Sequence, residues 1–191
     1  MSGHSKWSQV KRQKSVTDAA KSRVFSRFAR LITLESKSAG GGSASGGKVV
    51  YSPGLLSAIA RAKAANMPKE NIERAIAKGI SKDSGDLEQI VYEAYGPGGV
   101  AMLIDAFTDN KNRTTQDLKH LLSLQGVSIA APGAASWAFT KRGGVYVPNE
   151  PLLVVGGDDE TRLQNIFEAL DEYDDVQQVF TNARGYESTG D

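Results

Sequence analysis

The stretch ISKDSGDLE, residues 80–88, divides the chain into a basic part and an acidic part. Residues 1–82 carry 16 Lys and Arg against 4 Asp and Glu, a net charge of +12, whereas residues 83–191 carry 7 against 18, a net charge of −11. The formal net charge of +1 for all 191 residues conceals this asymmetry. We expect a domain over residues 1–82 that binds phosphate groups and a domain over residues 83–191 that does not contact them.

Upstream of that stretch, helical patterns predict a small bundle. The first pattern, residues 17–38, repeats its apolar residues on one stripe. The glycine- and serine-rich residues 40–47 predict a flexible loop, either a passive hairpin connection to the next helix, which the sequence favours, or an adaptive loop whose backbone approaches a ligand. That helix begins at Ser52 and Pro53, a favourable pair for a helix start, and it ends before Pro68 because the residue before a proline resists the helical conformation.

The third helix of the bundle is predicted over residues 69–78, with Gly79 ending it in the left-handed conformation. Its first turns contain Lys69, Asn71 and Arg74. These side chains could offer donors to an RNA backbone, but the residues by themselves slightly favour a purely structural helix start.

Downstream of the stretch, the pattern changes to ββα followed by ββαβ, which is typical of helices covering one face of a sheet. The sequence GPGG, residues 96–99, lies between two strands and predicts a hairpin turn, because a phosphate-binding loop opens a helix. The predicted strands cover residues 89–95, 100–107, 127–129, 136–140, 144–147, 152–155 and 176–180, and the predicted helices cover residues 114–124 and 158–173. The fold class is α+β: an N-terminal three-helix basic domain, then an α/β sandwich with a mainly antiparallel sheet.

Residues 1–16 form a polar basic arm without a helical stripe. Trp7 stands among its cations, which are Lys6, Lys11, Arg12 and Lys14. The arm is either a disordered tail or a segment that orders on nucleic acid, and Trp7 either stacks on a base or packs on the protein.

The first helix carries Arg23, Arg27 and Arg30 at i, i+4 and i+7, with Lys21 nearby. Like charges at this spacing repel each other by a few tenths of a kcal/mol per pair, and a merely solvated face usually mixes signs. Only Asp18 and Glu35 offer opposite charge on this helix. The pattern therefore favours an anion-binding face.

The sequence DNKNRT, residues 109–114, places Lys111 and Arg113 on a predicted polar loop before a helix that Asn112 or Thr114 could cap. The two cations can reach phosphate, or they can fold back onto Asp105 and Asp117. The sequence leaves these alternatives equal.

The composition and the motifs argue against most kinds of catalytic site and metal site. The absence of cysteine excludes disulfides and thiolate sites, and two histidines, His4 and His120, leave little for a metal site. No Ser–His–Asp, GxSxG or phosphate-loop motif is present. Asp158, Asp159 and Glu160 favour a helix N-terminus over a cation site. We expect no catalytic residue, no metal and no cofactor.

No stretch reaches the roughly 18 apolar residues of a membrane span, and the polar N-terminus lacks the apolar region of a secretory signal. We expect a cytoplasmic protein, with the mitochondrial matrix as the alternative.

Four motifs in order resemble one known family. They are GHSKW at residues 3–7, KAANMPKENIERAI at 63–76, YEAYGPGGVA at 92–101 and DNKNRT at 109–114. The chain is similar in these segments to the YebC family, described as transcriptional regulators in bacteria and translational activators in bacteria and mitochondria. The resemblance implies a nucleic-acid-facing N-terminal domain and no catalysis, and it shifts the interpretation of Lys69, Asn71 and Arg74 toward binding. It also implies that the family's third domain is reduced here to about thirty residues between Arg142 and Asp174.

Two targets are consistent with the basic face. The first helix offers arginine and lysine but few side chains that read base edges, which suits phosphate, shape and folded RNA better than a DNA sequence. We therefore expect a ribosome- or RNA-binding translation factor first and a DNA-binding transcriptional regulator second. A protein-interaction adaptor is the third alternative, and the oligomeric state stays open.

Overall fold

The computed structural model describes residues 18–38, 43–45, 48–81, 87–142 and 145–186. It divides into two compact units, one within residues 17–88 together with residues 107–109, and the other within residues 89–106 and 110–191. No helix in the described ranges is both long and apolar enough to cross a membrane.

The first unit is a three-helix bundle with a short hairpin. Helix α1 covers Asp18–Ser38, α2 covers Pro53–Ala64 and α3 covers Lys69–Ile80. Between α1 and α2, strands β1 (Ser43–Ser45) and β2 (Lys48–Val50) pair in antiparallel fashion. Residues 43–45 and 48–50 therefore form a short hairpin in the predicted connection between the two helices.

Both shorter helices pack against the apolar side of α1. Ser52 caps α2 as predicted, since its hydroxyl accepts a hydrogen bond of 3.1 Å from the Leu55 N–H. The buried core of the unit consists of Ile32, Leu55, Ala58, Ala62, Met67, Ile72 and Ala75. The stripe predicted on the first helix therefore supplies the surface on which the bundle is built.

Gly79 does not end α3, contrary to the sequence prediction. The helix continues to Ile80, and Gly79 is buried within it. A Cβ at this position would lie 2.4 Å from the Thr33 carbonyl oxygen and 2.6 Å from the Ser36 Cβ. The glycine is required because α1 and α3 approach each other too closely there for a side chain.

The second unit contains a four-stranded sheet in the order β5–β3–β4–β8. The pairings of β5 with β3 and of β8 with β4 are antiparallel, so the predicted α+β class and mainly antiparallel sheet are confirmed. A 3₁₀ turn, Pro97–Gly99, joins β3 and β4 at the predicted position. The strands are β3 (Glu88–Tyr95), β4 (Ala101–Thr108), β5 (Ile129–Ala130), β6 (Phe139–Arg142), β7 (Val145–Pro148) and β8 (Val176–Thr181), and the helices are α4 (Lys111–Leu124) and α5 (Asp158–Glu172).

Different structures cover the two faces of this sheet. On one face, β4 residues such as Met102 and Ile104 pack with Leu118 of α4 and Ile166 of α5. The alternate residues of β4 pack on the other face with Phe139 of β6 and partly buried residues of β7. The antiparallel β6–β7 hairpin completes the sandwich.

Candidate nucleic-acid interface

The three arginines predicted on α1 share one face of that helix. At 3.6 residues per turn, Arg23, Arg27 and Arg30 fall within an arc of about 60° and lie about 140° to 180° around the axis from Ile32. Ile32 is fully buried against the other helices, whereas the three arginines are half-buried. The packing of the bundle therefore directs these arginines away from its core. We call them the arginine face.

Glu35, the acidic residue in the second half of α1, is directed toward another element. Its carboxylate lies against the first turn of α2, where a Cβ built on Gly54 would be 2.2 Å from Oε2. Glu35 therefore faces α2 and lies outside the arginine face.

Lys21 does not join this face. The same helical geometry places it about 160° around the axis from Arg23, and its side chain is exposed. Of the four cations predicted on α1, the structure brings three together.

The predicted cluster at the start of α3 is also divided. Lys69 forms an ion pair of 3.5 Å with Glu73, and both side chains are largely exposed. Helical geometry places Lys69 about 140° around the axis from Arg74, whereas Asn71 and Lys78 lie within about 60° of Arg74. Lys78 is exposed and was missing from the predicted site, although its i, i+4 spacing from Arg74 was visible in the sequence.

Arg61 of α2 was also missing from the predicted site. Its guanidinium carbon lies 6.0 Å from the ring centroid of Phe28, at the limit of a cation–π contact. The contact places another exposed cation beside α1. No local sequence signal links Arg61 to Phe28, because the contact depends on how the two helices pack.

In the second unit, the predicted polar loop is the first turn of a helix. Helix α4 begins at Lys111, and Asn110 caps it by accepting a hydrogen bond of 3.1 Å from the Arg113 N–H. The expectations that Asn112 or Thr114 caps this helix, and that it begins at Thr114, are wrong. The helix start was missed because DNKNRT contains no apolar residue.

Arg113 forms a local ion pair, one of the two alternatives that the sequence left open. Its Nη2 lies 3.2 Å from Oδ2 of Asp175, a buried carboxylate that the sequence did not single out as a partner. The Thr114 hydroxyl donates to the same oxygen at 2.7 Å. About half of the Arg113 side chain is still exposed, and Lys111 is exposed as well.

Tyr173 adds a second contact to this network. Its hydroxyl donates to Asp117 at 2.8 Å and lies 3.4 Å from Asp175. Burial, the hydrogen bond to Asp117 and the charge of Asp175 all raise the pKa of Tyr173, so the phenol stays protonated. These contacts tie the start of α4 to the segment between α5 and β8, which is a structural role.

Asp105 has a different environment. Both of its carboxylate oxygens accept from the Gln89 amide, at 2.8 and 2.9 Å. Burial raises the pKa of Asp105 to about 6, against the lowering effects of that hydrogen bond and of Lys141.

The predicted binding residues of the arm, Lys6, Trp7, Lys11, Arg12 and Lys14, lie outside the described residues, as does Thr17. They remain predictions.

Two family models match consecutive segments of the chain. One, described as the TACO1/YebC protein N-terminal domain, matches residues 5–82. The other, described as the TACO1/YebC second and third domain, matches residues 87–154. The interval between the matches falls where the charge changes sign.

Curated relatives are similar over most of the chain. A "probable transcriptional regulatory protein" of Petrotoga mobilis is 42% identical over 185 residues, which cover 95% of this chain and 70% of that relative. Another, from Borreliella burgdorferi, is 41% identical over 191 residues, covering 95% of this chain and 76% of the relative. A third, from Thermotoga petrophila, is 44% identical over 153 residues, but the match spans only 58% of its length and 80% of this chain.

A solved structure shares the fold. The crystal structure of a conserved hypothetical protein from Aquifex aeolicus matches with a TM-score of 0.76 and 27% sequence identity, covering 87% of this chain and 91% of that chain.

Proposed function

Because the chain belongs to the TACO1/YebC family, we propose that it is a non-enzymatic regulator of gene expression that binds RNA through its helical unit. The resemblance to the YebC family, inferred from four sequence motifs, is confirmed by these matches. The shared description of the relatives supports a regulator of gene expression. The RNA target and the absence of catalysis are the further content of the proposal.

The arginine face is the observation that carries the proposal. Arg23, Arg27 and Arg30 lie on the side of α1 opposite its core contact, and Glu35 is directed at α2 instead. Arginines presented in this way fit the phosphate groups of a nucleic acid, because the guanidinium group pairs with two phosphate oxygens at once.

RNA is favoured over DNA by what the helix lacks. Reading a DNA sequence in the major groove typically uses asparagine or glutamine for adenine as well as arginine for guanine. The sequence of α1, DAAKSRVFSRFARLITLESKS, contains neither asparagine nor glutamine. Such a face suits the backbone and shape of a folded RNA, and ribosomal RNA is the target that we propose.

A DNA-binding transcriptional regulator is the second candidate. The observation in its favour is the description of the relatives from Petrotoga mobilis and Borreliella burgdorferi as probable transcriptional regulatory proteins. A cytoplasmic location and a reduced third domain, both expected from the sequence, belong to the proposal in either case.

The proposal is tested by measuring the affinity of the full chain for a structured ribosomal RNA fragment and for a DNA duplex of equal length. Between about 50 and 200 mM salt we expect RNA affinity to fall at least tenfold, because phosphate contacts release counterions. The slope of log affinity against log salt is negative. Changing Arg23, Arg27 and Arg30 to Gln should make it less steep by about 2 to 3.

A matched variant changes Lys119, Arg162 and Arg184 to Gln, which removes the same charge from exposed positions of the second unit. Its salt slope should stay close to that of the original chain, and circular dichroism should show full helicity for both variants. Tighter binding to DNA than to RNA at equal salt would select the second candidate. Failure to bind either nucleic acid would leave the adaptor alternative.

A further inference from the structure

Trp137 presents an exposed aromatic ring in the acidic unit. Among the aromatic side chains that the structure describes, it is the most exposed, at 67%. It lies in the short 3₁₀ segment Ser136–Ala138, directly before β6. Neither the core of the unit nor the arginine face uses this ring.

The indole is held in one orientation. Its Nε1–H donates a hydrogen bond of 2.9 Å to the Tyr95 hydroxyl. The Tyr95 hydroxyl donates in turn to the Ala134 carbonyl. Because the only polar group of the indole is already bonded, the exposed part of the ring offers a π surface and no free donor.

The backbone beneath the ring is fixed as well. The carboxylate of Glu93 accepts hydrogen bonds from the N–H groups of Gly133, Ala135 and Ser136, at 2.7, 2.6 and 2.9 Å. In addition, the Asn149 side-chain amide donates a hydrogen bond of 3.0 Å to the Trp137 carbonyl oxygen. The ring therefore stands on a rigid support, and little conformational entropy remains to be lost when something stacks on it.

We propose that Trp137 is a stacking platform for an unpaired base of single-stranded nucleic acid. This inference rests on the proposed nucleic-acid function and adds a second contact point, in the other unit, to the arginine face. Aromatic side chains accept any base by stacking, because every base has a π surface. Tyr95, which is 39% exposed, extends the aromatic surface beside Trp137.

Basic residues close to Trp137 in the sequence favour a nucleotide over a protein side chain as the occupant. Lys141 and Arg142 are exposed and belong to the strand that follows Trp137. They are two of only seven basic residues in the acidic half of the sequence. The Cα atoms of Trp137 and Arg142 are at most about 18 Å apart, so a short single strand stacked on the ring can place a phosphate near these cations.

The test uses a Trp7→Phe background, in which Trp137 is the only tryptophan of the chain. Binding of a labelled twelve-residue oligouridylate is followed by anisotropy, and stacking is followed by quenching of the Trp137 fluorescence. We expect the two signals to saturate at the same oligonucleotide concentration. Adding Trp137→Ala should weaken binding roughly 10-fold, whereas Trp137→Phe should weaken it less because a ring remains.

Leu124→Ala is the matched control, since Leu124 is exposed to a similar extent, at 70%, and is not an aromatic residue. It should bind as the background does, and thermal unfolding should show that all variants fold. Unchanged oligouridylate affinity in Trp137→Ala would overturn the inference while leaving the binding of structured RNA, and with it the proposed function, intact. Weaker co-sedimentation of Trp137→Ala with ribosomes at unchanged oligouridylate affinity would also overturn it, in favour of a protein partner. Binding to neither RNA would overturn both proposals.

Discussion

The hydroxyl of Thr114 donates a 2.7 Å hydrogen bond to the carboxylate of Asp175, and both residues are buried. The contact joins residues 61 positions apart in the sequence. With the ion pair from Arg113, it fixes the first turn of α4 to the strand connection before β8. Part of the DNKNRT motif is therefore explained by folding.

Replacing Asp175 with Ala should lower the free energy of unfolding by about 2 to 4 kcal/mol, because the Thr114 hydroxyl and the Arg113 guanidinium both lose a partner. Denaturant titration measures the loss. Asp174→Asn, at the exposed neighbouring position, should cost less than about 1 kcal/mol. Equal losses in the two variants would show that the buried network contributes little.

Replacing Gly79 with Ala should destabilise the helical unit. Alanine normally favours a helix over glycine by about 1 kcal/mol. Here the added Cβ would meet the Thr33 carbonyl at 2.4 Å, so α1 and α3 must separate, at a cost of about 1 to 3 kcal/mol or more. Ala77→Ser on the exposed side of α3 is the control and should change stability by less than about 0.5 kcal/mol. A gain in stability on thermal unfolding of Gly79→Ala would contradict the close approach.

Asp105 should make stability depend on pH in a defined window. Burial raises its folded-state pKa from 3.8 to about 6, so the folded protein binds the proton more tightly than the unfolded chain does. The contribution of Asp105 to stability is therefore fully present below the unfolded pKa and is lost as pH rises through about 6, by up to about 3 kcal/mol. Asp105→Asn should remove this part of the dependence and be the more stable protein at neutral pH. Parallel stability curves for the two proteins between pH 4 and about 7 would contradict the shift.

Glu93 should make stability depend on pH in the direction opposite to Asp105. Burial alone raises its pKa, but hydrogen bonds from three backbone N–H groups outweigh burial, and the pKa lies below its usual value of 4.5. Its stabilising effect is present above pH 4.5 and is lost as pH falls through the folded-state pKa. Glu93→Gln should cost about 1 to 2 kcal/mol at neutral pH, because an amide accepts these bonds less well. Denaturant titrations should show that the difference in the free energy of unfolding between Glu93→Gln and the original protein becomes smaller in acid. A difference that stays constant with pH would mean that the carboxylate charge is irrelevant.

Local pattern predicted most of the fold. The apolar stripe of α1, the Ser52–Pro53 start of α2 and the GPGG turn each depend on residues close together in sequence. Helical and strand periods are properties of short windows, so the α+β class and the order of its main elements followed from them. The arginine grouping was visible for the same reason, since i, i+4 and i+7 share a helix face.

The errors arose where distant residues decide the outcome. Gly79 resembles a helix end in sequence, but its environment is set by Thr33 on another helix. Arg113 has nearby acidic residues in sequence, but its partner is Asp175, 62 positions away. Trp137 was not singled out from the sequence, because only the structure shows that its ring is exposed and that its indole N–H is bonded to Tyr95.

Helix α1 separates its bundle contacts from its arginines by geometry, with Ile32 on one side and Arg23, Arg27 and Arg30 on the other. Under the proposed function, substitutions at the arginines would raise or lower the attraction to RNA phosphates separately from the contacts that hold the bundle together. Relatives with the same three helices could then differ in RNA affinity one arginine at a time, on a scaffold that stays the same.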